Sequence, residues 1–423
     1  MKLYLKTTLI KILRILSRLT IKKFNPEIIG VTGTAGKTSA KEAIYSVLRS
    51  QWQVRATHDN YNNEIGLPLT ILGNYKKTGG FSFWIPVIII CTLRLCIPRK
   101  LLSYPDILVL EYAADRPGDI KYLISIAKPH ISIVTAIGEI PVHVEFYEDI
   151  GSVIREKAKL IDCLNVGDLA ILNMDDKKTF EMKDKTRAKI VTYGFNNKAD
   201  IRLSNFETKT EKIGRANKPI GISFKLEYKE SFIPIRVPGT IGKAQAYAIA
   251  AATAVGIHKN MHLIKISEAL SYYQPIRRRT SIVYGYKNSV IIDDSYNSSP
   301  LALENAIEAV KEIQGKRKIA ILGDMRELGS YSNKAHKQAG RSTAKVFSHL
   351  ITIGTQAKII ADEAVRVGMN IKNVETYESV EELLPEIRKK IRSQDIVLAK
   401  GSLAIGIYKL VDELTREREP LKK

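Results

Sequence analysis

Cysteine is scarce in this chain. The 423 residues include three cysteines, Cys91, Cys96 and Cys163, which form neither a disulfide framework nor the paired CxxC motifs of a zinc site. This excludes a small disulfide-stabilised secreted domain and favours a reducing, cytoplasmic compartment. The length allows two or three domains, because single hydrophobic cores rarely grow beyond ~250 residues. The 45% hydrophobic content predicts that these domains have buried cores.

Acidic residues are absent from positions 1–26, where basic residues recur at mostly helical spacing between aliphatic side chains. The pattern predicts a basic amphipathic helix over residues 1–25. Lys6, Lys11 and Arg14 interrupt the apolar centre that a cleavable signal peptide needs, so we expect the helix to be retained. Two interpretations remain open: the helix packs on the protein's own core, or it lies on a membrane surface.

A long uninterrupted apolar run is also lacking. The stretch 81–98 contains Pro86, is interrupted by Arg94 and is shorter than the ~20 apolar residues of a confident membrane span. It is either a buried strand or helix of the core or an interfacial segment, for which Trp84 and the basic residues that follow are typical. We favour peripheral contact with an anionic membrane, at the inner face of the cell membrane.

The formal net charge of +22 is compatible with phosphate-rich ligands, nucleic acid or an anionic membrane, and charge alone does not choose among them. A nucleic-acid-binding surface would interleave aromatic and basic residues or use a known fold for that purpose. Neither is found in the sequence, so no nucleic-acid partner is predicted.

Short β-branched runs alternate with helical patterns, which predicts an α/β fold with a largely parallel sheet covered by helices. Residues 200–237 are predicted as an antiparallel addition to that sheet, and residues 244–255 as an alanine-rich helix. Strands are predicted at residues 28–32, 107–110, 131–135, 169–172, 290–292, 319–322, 350–353 and 396–398. The predicted organisation is the helix 1–25, a central domain 26–272 with an apolar insertion at 78–100, and a Rossmann-like C-terminal domain 273–423 that begins with a linker.

The strongest local motif is VTGTAGKT at residues 31–38, which follows a predicted strand and opens a predicted helix. This is the context of a phosphate-binding P-loop. Its backbone amides can meet phosphate oxygens, Lys37 would neutralise the β and γ phosphates, and the Thr38 hydroxyl would bind magnesium. The predicted nucleotide-binding residues here are Gly33, Thr34, Ala35, Gly36, Lys37, Thr38 and Ser39.

Other polar groups are weaker candidates. The asparagine-rich stretch HDNYNNEIGLPLTIL at 58–72 suits a binding loop. Glu111 ends an apolar strand, where ligands gather in open α/β sheets, although a solvated strand-end glutamate is the commoner case. In isolation neither His143 nor Lys157 indicates a site. The arginines at 277–279 would, without their neighbours, be interpreted as a solvated linker.

Taken in order, these segments resemble the Mur ligase family. The segments TGTAGKT, HDNYNNEIGLP, DDSYNSSP, ILGDMRELG and KGS occur in the family's order across most of the chain. They are most similar to the members that add D-alanyl-D-alanine. The resemblance implies two domains with the chemistry in the cleft between them. ATP would phosphorylate a substrate carboxylate, and an incoming amine would attack the resulting acyl-phosphate.

The resemblance also implies the cofactors and the residue roles. ATP, two magnesium ions and a carbamate formed from CO2 on Lys157 are expected. Gln245, Arg279 and Asp294 would contact the nucleotide. The implied catalytic residues are Lys37, His143, Lys157 and Arg279; the metal ligands are Thr38, Glu111, His143 and Lys157; the substrate-binding residues are Asn60, Asn62, Asn63, Glu64, Tyr296, Asn297 and Lys400.

Besides Lys159, which stands where the family usually has an acidic residue, the chain departs from the family pattern at three places. The family's histidine and asparagines after residue 239 are replaced, so adenine contacts are expected to be rebuilt around Gln245. Leu403 stands where the family's KGSR has an arginine, a group that would pair with a substrate carboxylate. The phosphate loop begins near residue 30, so the separate domain that holds the uridine nucleotide in relatives is expected to be absent.

The leading hypothesis is addition of D-alanyl-D-alanine to a UDP-muramoyl-tripeptide in cell-wall peptidoglycan synthesis. One alternative is a related ligase that acts on a different or lipid-linked acceptor. Another is a non-catalytic ATP-binding partner of wall-synthesis proteins, against which the presence of Lys37, Glu111, His143 and Lys157 argues. The sequence leaves the oligomeric state open.

Overall fold

Two β-sheets form the framework of the chain. The computed structural model describes residues 2–58, 61–75, 77–213, 216–315 and 317–415. The strands over these residues are β1 (Glu27–Thr32), β2 (Val54–Ala56), β3 (Ile107–Glu111), β4 (Ile131–Val134), β5 (Leu169–Asn173), β6 (Lys189–Gly194), β7 (Ile201–Ile213), β8 (Ala216–Tyr228), β9 (Ser231–Pro238), β10 (Ser281–Tyr284), β11 (Val290–Asp294), β12 (Lys318–Gly323), β13 (His349–Ile353), β14 (Val374–Tyr377) and β15 (Ile396–Lys400).

Helices cover both sheets. The α-helices within the described residues are α1 (Lys2–Phe24), α2 (Lys37–Leu48), α3 (Gly66–Leu72), α4 (Phe81–Cys96), α5 (Asp119–Ile126), α6 (Ile150–Asp162), α7 (Lys177–Phe180), α8 (Ala244–His258), α9 (Leu263–Leu270), α10 (Pro300–Lys311), α11 (Ser332–Val346), α12 (Lys358–Arg366), α13 (Val380–Leu383), α14 (Ile387–Lys390) and α15 (Tyr408–Thr415). The predicted α/β class is confirmed.

The first sheet has the strand order β2-β3-β1-β4-β5-β6-β7-β8-β9 and is parallel from β2 to β7. Side chains of a strand alternate between its two faces. Ile29 therefore packs with Val47 of α2 and Ala250 of α8, whereas Ile28 packs with Leu123 of α5 on the opposite face. Helices on both faces explain why the parallel strands consist of continuous apolar runs.

The predicted antiparallel addition is confirmed. Strands β7, β8 and β9 pair antiparallel at one edge of the first sheet. On β9, buried residues alternate with exposed ones, as expected where one face of the sheet meets solvent.

The second sheet has the order β10-β11-β15-β12-β13-β14, with β10 antiparallel and the other strands parallel. Helices α10, α11 and α12 cover one face, and α13, α14 and α15 cover the other. The strands predicted from residue 290 onward are confirmed, but β2, β6, β10 and β14 are not among the predicted strands. The strands β2, β10 and β14 each lie at a sheet edge, have three or four residues and are only partly buried, so they lack a buried apolar run. The strand β6 lies inside the first sheet, but only its second half is buried.

The basic N-terminal segment is the helix α1, and it packs on the core by one face. Leu13, Leu16 and Thr20 are buried on this face. The other face is exposed and carries Ile15 and Leu19. The first interpretation of the amphipathic pattern, packing on the protein's own core, therefore accounts for one face of the helix.

The apolar stretch 81–98 forms the helix α4, which is not a buried core element. Val87 and Cys91 pack against α1 and α3, whereas Ile85, Ile89 and Leu93 are about half exposed. None of the described helices combines the length and apolarity needed to cross a membrane.

Candidate active site

The phosphate-binding loop connects β1 to α2. Gly36 has the left-handed conformation (φ 86°), and a side chain at Gly33 would meet the Thr135 hydroxyl at 2.1 Å, so glycine is required at both positions. The amides of Thr34 and Ala35 donate to the Ala136 carbonyl at 2.7 and 3.2 Å. Phosphate oxygens would therefore be met by the amides at the N-terminus of α2, where the helix dipole is positive.

Two lysines converge on this loop. The ammonium groups of Lys37 and Lys157, the latter on α6, donate to the Gly33 carbonyl at 2.8 and 3.3 Å. Burial lowers the pKa of Lys37. Burial, followed by the neighbouring charge of Lys37, lowers the pKa of Lys157 to about 7. An anionic ligand would relieve the repulsion between the two groups, and much of Lys157 is a neutral amine near pH 7.

Glu111 ends β3 beside the loop, because β3 pairs with β1 and Glu111 is in register with Val31. Its side chain is buried, and its Oε1 accepts a hydrogen bond from the Asn62 amide at 3.0 Å. Its Oε2 has no hydrogen-bond partner among the described residues. A buried carboxylate oxygen without a partner is costly, so it fits a site that receives a cation.

His143 has a left-handed backbone (φ 68°) and lies between two acidic side chains. Its Nε2 is 3.4 Å from Asp115 Oδ1, and its Nδ1 is 2.6 Å from Glu327 Oε2. Burial lowers the pKa of His143 below its usual range. A neutral imidazole is the form that binds metal ions.

The described part of the chain has no group of three or more His, Cys, Asp and Glu side chains arranged around a metal position. Magnesium is commonly held by one or two carboxylates together with substrate phosphates and water. The unpartnered oxygen of Glu111 beside the phosphate loop fits that mode, with Thr38 and His143 lining the same cleft.

Arg279 lies in the domain of the second sheet and contacts the phosphate-binding loop of the first domain. Its guanidinium donates to the Thr38 hydroxyl at 3.3 Å and lies 4.3 Å from the centre of the Tyr296 ring. The buried Nε of Arg279 has no partner among the described residues. Donor capacity therefore remains for a phosphate oxygen.

Asp294 and Lys400 do not line the cleft, which corrects the roles expected for them. Asp294 accepts from Lys400 Nζ at 2.6 Å and from the Thr280 amide at 3.1 Å. Lys400 also donates to the Asn297 carbonyl at 2.9 Å. Both side chains are buried and paired with each other, so they position the chain around Arg279 and Asn297.

A cleft of about 460 Å³ separates the two domains. Asn62, Asn63, Tyr296 and Asn297 line it, as expected, together with the lysines, Arg279, Glu111 and His143. Glu64 does not, because its carboxylate pairs with Lys6 at 3.3 Å, and Asn60 lies outside the described residues. Sequence reasoning missed Asp115, Arg326 and Glu327, although the last two belong to the motif ILGDMRELG.

A second cavity, of about 200 Å³, shares Ala35 and Gly36 with the phosphate loop. Tyr193 and Tyr247 contribute aromatic surface to it. Its other lining residues are Ala40, Thr135, Ala136, Asn173, Asp175, Asp176, Ala244, Ala248, Leu301 and Asn305. Size, aromatic lining and position suit the nucleoside end of ATP.

Gln245 and Ser39 are buried outside the linings of both cavities. Gln245 accepts a hydrogen bond from the Tyr273 hydroxyl at 2.6 Å, which corrects the expected adenine contact. Ser39 is buried within α2. The alanine-rich helix instead presents Ala244, Tyr247 and Ala248 to the second cavity.

Two family models match the chain. One, described as the Mur ligase middle domain, matches residues 31–82 and 92–256. The other, described as the Mur ligase, glutamate ligase domain, matches residues 278–403. The break in the first match falls within α4.

Individual proteins match over most of the chain. The UDP-N-acetylmuramoyl-tripeptide--D-alanyl-D-alanine ligase of Bacillus subtilis is 27% identical, covering 94% of this chain and 78% of the relative. The same enzyme of Mycobacterium leprae is 26% identical, with 92% and 73% covered. Among solved structures, Thermotoga maritima MurF in complex with ADP has a TM-score of 0.76 at 24% identity, covering 96% of this chain and 83% of that one. Acinetobacter baumannii MurF has a TM-score of 0.76 at 22% identity, covering 95% and 79%. These structures share the fold described above.

Proposed function

Because the chain belongs to the Mur ligase family, we propose that it adds D-alanyl-D-alanine to a UDP-muramoyl-tripeptide, the reaction for which its relatives are named. It is an ATP-dependent ligase that forms an amide bond. The observation that supports the proposal is that one cleft is lined both by the phosphate loop and the two buried lysines of the first domain and by Arg279 of the second domain.

The cleft supports formation of an acyl-phosphate. A substrate carboxylate oxygen attacks the γ-phosphorus of ATP and ADP leaves; the amine then attacks the acyl carbon and phosphate leaves, giving the amide. No side-chain nucleophile is needed. Lys37 and Arg279 neutralise the negative charge of the transferred group, and the two domains hold the reactants together, so catalysis comes from positioning and electrostatic stabilisation.

Magnesium fits the first-domain side of this cleft. Thr38, Glu111 and His143 are the residues that would hold it, with the phosphates completing its coordination. When bound, it would neutralise phosphate charge and polarise the phosphoryl oxygens. The hydrogen bond from Arg279 to the Thr38 hydroxyl places the guanidinium beside these magnesium-binding candidates.

We further propose a carbamate on Lys157. Its Nζ is buried beside the loop, and the pKa near 7 provides the neutral amine that adds to CO2 with release of one proton. The resulting carboxylate-like anion would serve as a metal ligand. NMR after incubation with ¹³C-bicarbonate should show a carbamate resonance that is absent from Lys157→Met; identical spectra would contradict the carbamate without bearing on ATP turnover.

The arginine of the family's KGSR motif suggests a contact with a substrate carboxylate. We propose that Arg326 makes this contact in the present chain. Leu403 occupies that position, and Arg326 and Leu403 line the same cleft. The Arg326 amide donates to the Ser402 hydroxyl at 3.1 Å, which holds its backbone beside the KGS segment. Arg326→Gln should raise the KM for the carboxylate-bearing substrate, and Leu403→Arg should restore it in the double variant. An unchanged KM would contradict the assignment.

The test of the function is phosphate release from ATP with magnesium, UDP-muramoyl-tripeptide and D-alanyl-D-alanine, with Lys37→Ala as control. Turnover that needs both substrates and is lost in the variant is the expected result. ATP binding without turnover would overturn the proposed substrates. Turnover with a lipid-linked acceptor would then support the altered-acceptor alternative, and its absence would support a non-catalytic ATP-binding partner of wall-synthesis proteins.

A further inference from the structure

We propose that the exposed surface shared by α1 and α4 docks on an anionic phospholipid bilayer. The term α1–α4 face is used here for the exposed aliphatic residues Ile15, Leu19, Ile85, Ile89, Ile90 and Leu93, which are between 46% and 58% exposed. Six exposed aliphatic side chains on two helices that pack against each other indicate an interaction site. The inference does not depend on the proposed substrates.

The two helices form a fixed pair. Leu13 and Leu16 of α1 lie in one buried cluster with Val87 and Cys91 of α4. Near the ends of both helices, Lys23 donates to the carbonyls of Arg94 and Leu95 at 2.7 and 2.9 Å. The outward side chains are thus held at the surface by the packing beneath them.

Charge indicates which partner covers this surface. Lys11, Arg18 and Lys22 are exposed along α1, and Arg99 and Lys100 are exposed just after α4. No acidic residue occurs in positions 1–26 or 65–105. Within these two sequence segments, aliphatic side chains alternate with basic ones and none is acidic, which complements the acyl boundary and headgroups of an anionic leaflet. None of the described helices is long and apolar enough to span it, so both would lie in the interface.

The helix α1 also contacts the segment that leads into the cleft. Lys6 of α1 pairs with Glu64 at 3.3 Å, directly after Asn62 and Asn63, which line the cleft. Residues 83–91 of α4, which carry Ile85, Ile89 and Ile90, lie in the break of the family-model match. The face is therefore built partly on a segment that the general family pattern does not include.

The first test is flotation of the full chain with phosphatidylcholine vesicles that contain or lack phosphatidylglycerol. Wild-type protein should float with the anionic vesicles. The variant Ile85→Ser/Ile89→Ser/Leu93→Ser should lose roughly a hundredfold in partition coefficient, about fivefold for each half-exposed aliphatic side chain. A matched control changes Val166, Ile264 and Ile371, which are exposed elsewhere, to serine and should bind as wild type.

A second variant keeps the proposal testable if the first misfolds. Arg99→Gln/Lys100→Gln changes exposed residues that lie just after α4 and should weaken binding to anionic vesicles roughly twenty-five-fold, about fivefold per basic residue. Added salt should weaken wild-type binding in the same direction. The proposal would be overturned if wild-type protein stayed in the soluble fraction, or if folded variants bound vesicles as well as wild type. A failure of wild-type protein to bind vesicles is also the result expected if a protein partner covers the face.

Discussion

The Lys400 ammonium lies 2.6 Å from Asp294 Oδ2, and both side chains are almost completely buried. The two residues are opposite each other on the neighbouring parallel strands β15 and β11. The pair also holds the Thr280 amide and the Asn297 carbonyl. It thereby links the centre of the second sheet to the segments that carry Arg279 and Asn297 into the cleft.

Loss of one member of this pair should destabilise the protein strongly. Lys400→Met would leave the Asp294 carboxylate buried without its counter-charge, and the free energy of unfolding should fall by about 3–5 kcal/mol. Urea unfolding measures the change. Lys409→Met is the matched control, because Lys409 pairs with Glu381 on the surface at 2.6 Å and should cost below about 1 kcal/mol. Equal losses in the two variants would contradict the structural role.

Arg279 and Arg278 are adjacent, but their environments predict that substitution by lysine lowers turnover much more at Arg279 than at Arg278. Arg279→Lys would lose the planar contact with Tyr296 and the forked donors toward phosphate, so turnover should fall by roughly a hundredfold. Arg278 also lies over a ring, that of Tyr408 at 4.4 Å, but it pairs with the half-exposed Asp412 at 3.3 Å and does not line the cleft. Arg278→Lys should therefore change turnover by less than about threefold. Steady-state kinetics on both variants measures the two turnover numbers. Similar losses of turnover in the two variants would contradict the proposed contact of Arg279 with the phosphates.

Lys157 should make the stability of the protein depend on pH. Its pKa is about 7 in the folded chain and 10.5 in an ordinary environment. Between these values the unfolded chain binds a proton that the folded chain lacks, so the free energy of unfolding rises with pH, by up to ~1.4 kcal/mol per unit. Below pH 7 both states hold the proton and the contribution stays constant.

The measurement compares wild type with Lys157→Met by urea unfolding from pH 6 to 9, without bicarbonate. The free energy of unfolding of wild type minus that of Lys157→Met should be constant below pH 7. Above pH 7 this difference should increase with pH. Lys177→Met removes an exposed lysine on α7 and should not alter the slope. A pH-independent difference for Lys157→Met would contradict the lowered pKa.

The sequence predicts those parallel strands that are short apolar runs buried on both faces. It fails at β2, β10 and β14, which are short and partly exposed, and at β6, whose first half is not buried. For the site, the glycines and Lys37 are predictable because the phosphate loop is local. The family resemblance implies ligand roles for Asp294 and Lys400, but strand register pairs them directly across a separation of 106 residues. Such register is not visible in a local motif.

The nucleoside cavity allows a direct comparison of two residues on α8. Tyr247 lines the cavity, with its hydroxyl donating to Asp175 at 2.9 Å and its ring edge-on to Phe195. Tyr247→Ala should weaken ATP binding, measured by calorimetry, because loss of an aromatic surface against a base costs about 1–3 kcal/mol. The change should appear in the dissociation constant for ATP.

Gln245→Leu is the matched comparison. It leaves the buried Tyr273 hydroxyl without its acceptor, which should cost about 1–3 kcal/mol of stability and leave ATP affinity unchanged. The reverse result, with ATP binding lost in Gln245→Leu and kept in Tyr247→Ala, would place adenine around Gln245 after all. It would also require α8 to turn about its axis when nucleotide binds, since Gln245 now faces Tyr273 and not the cavity.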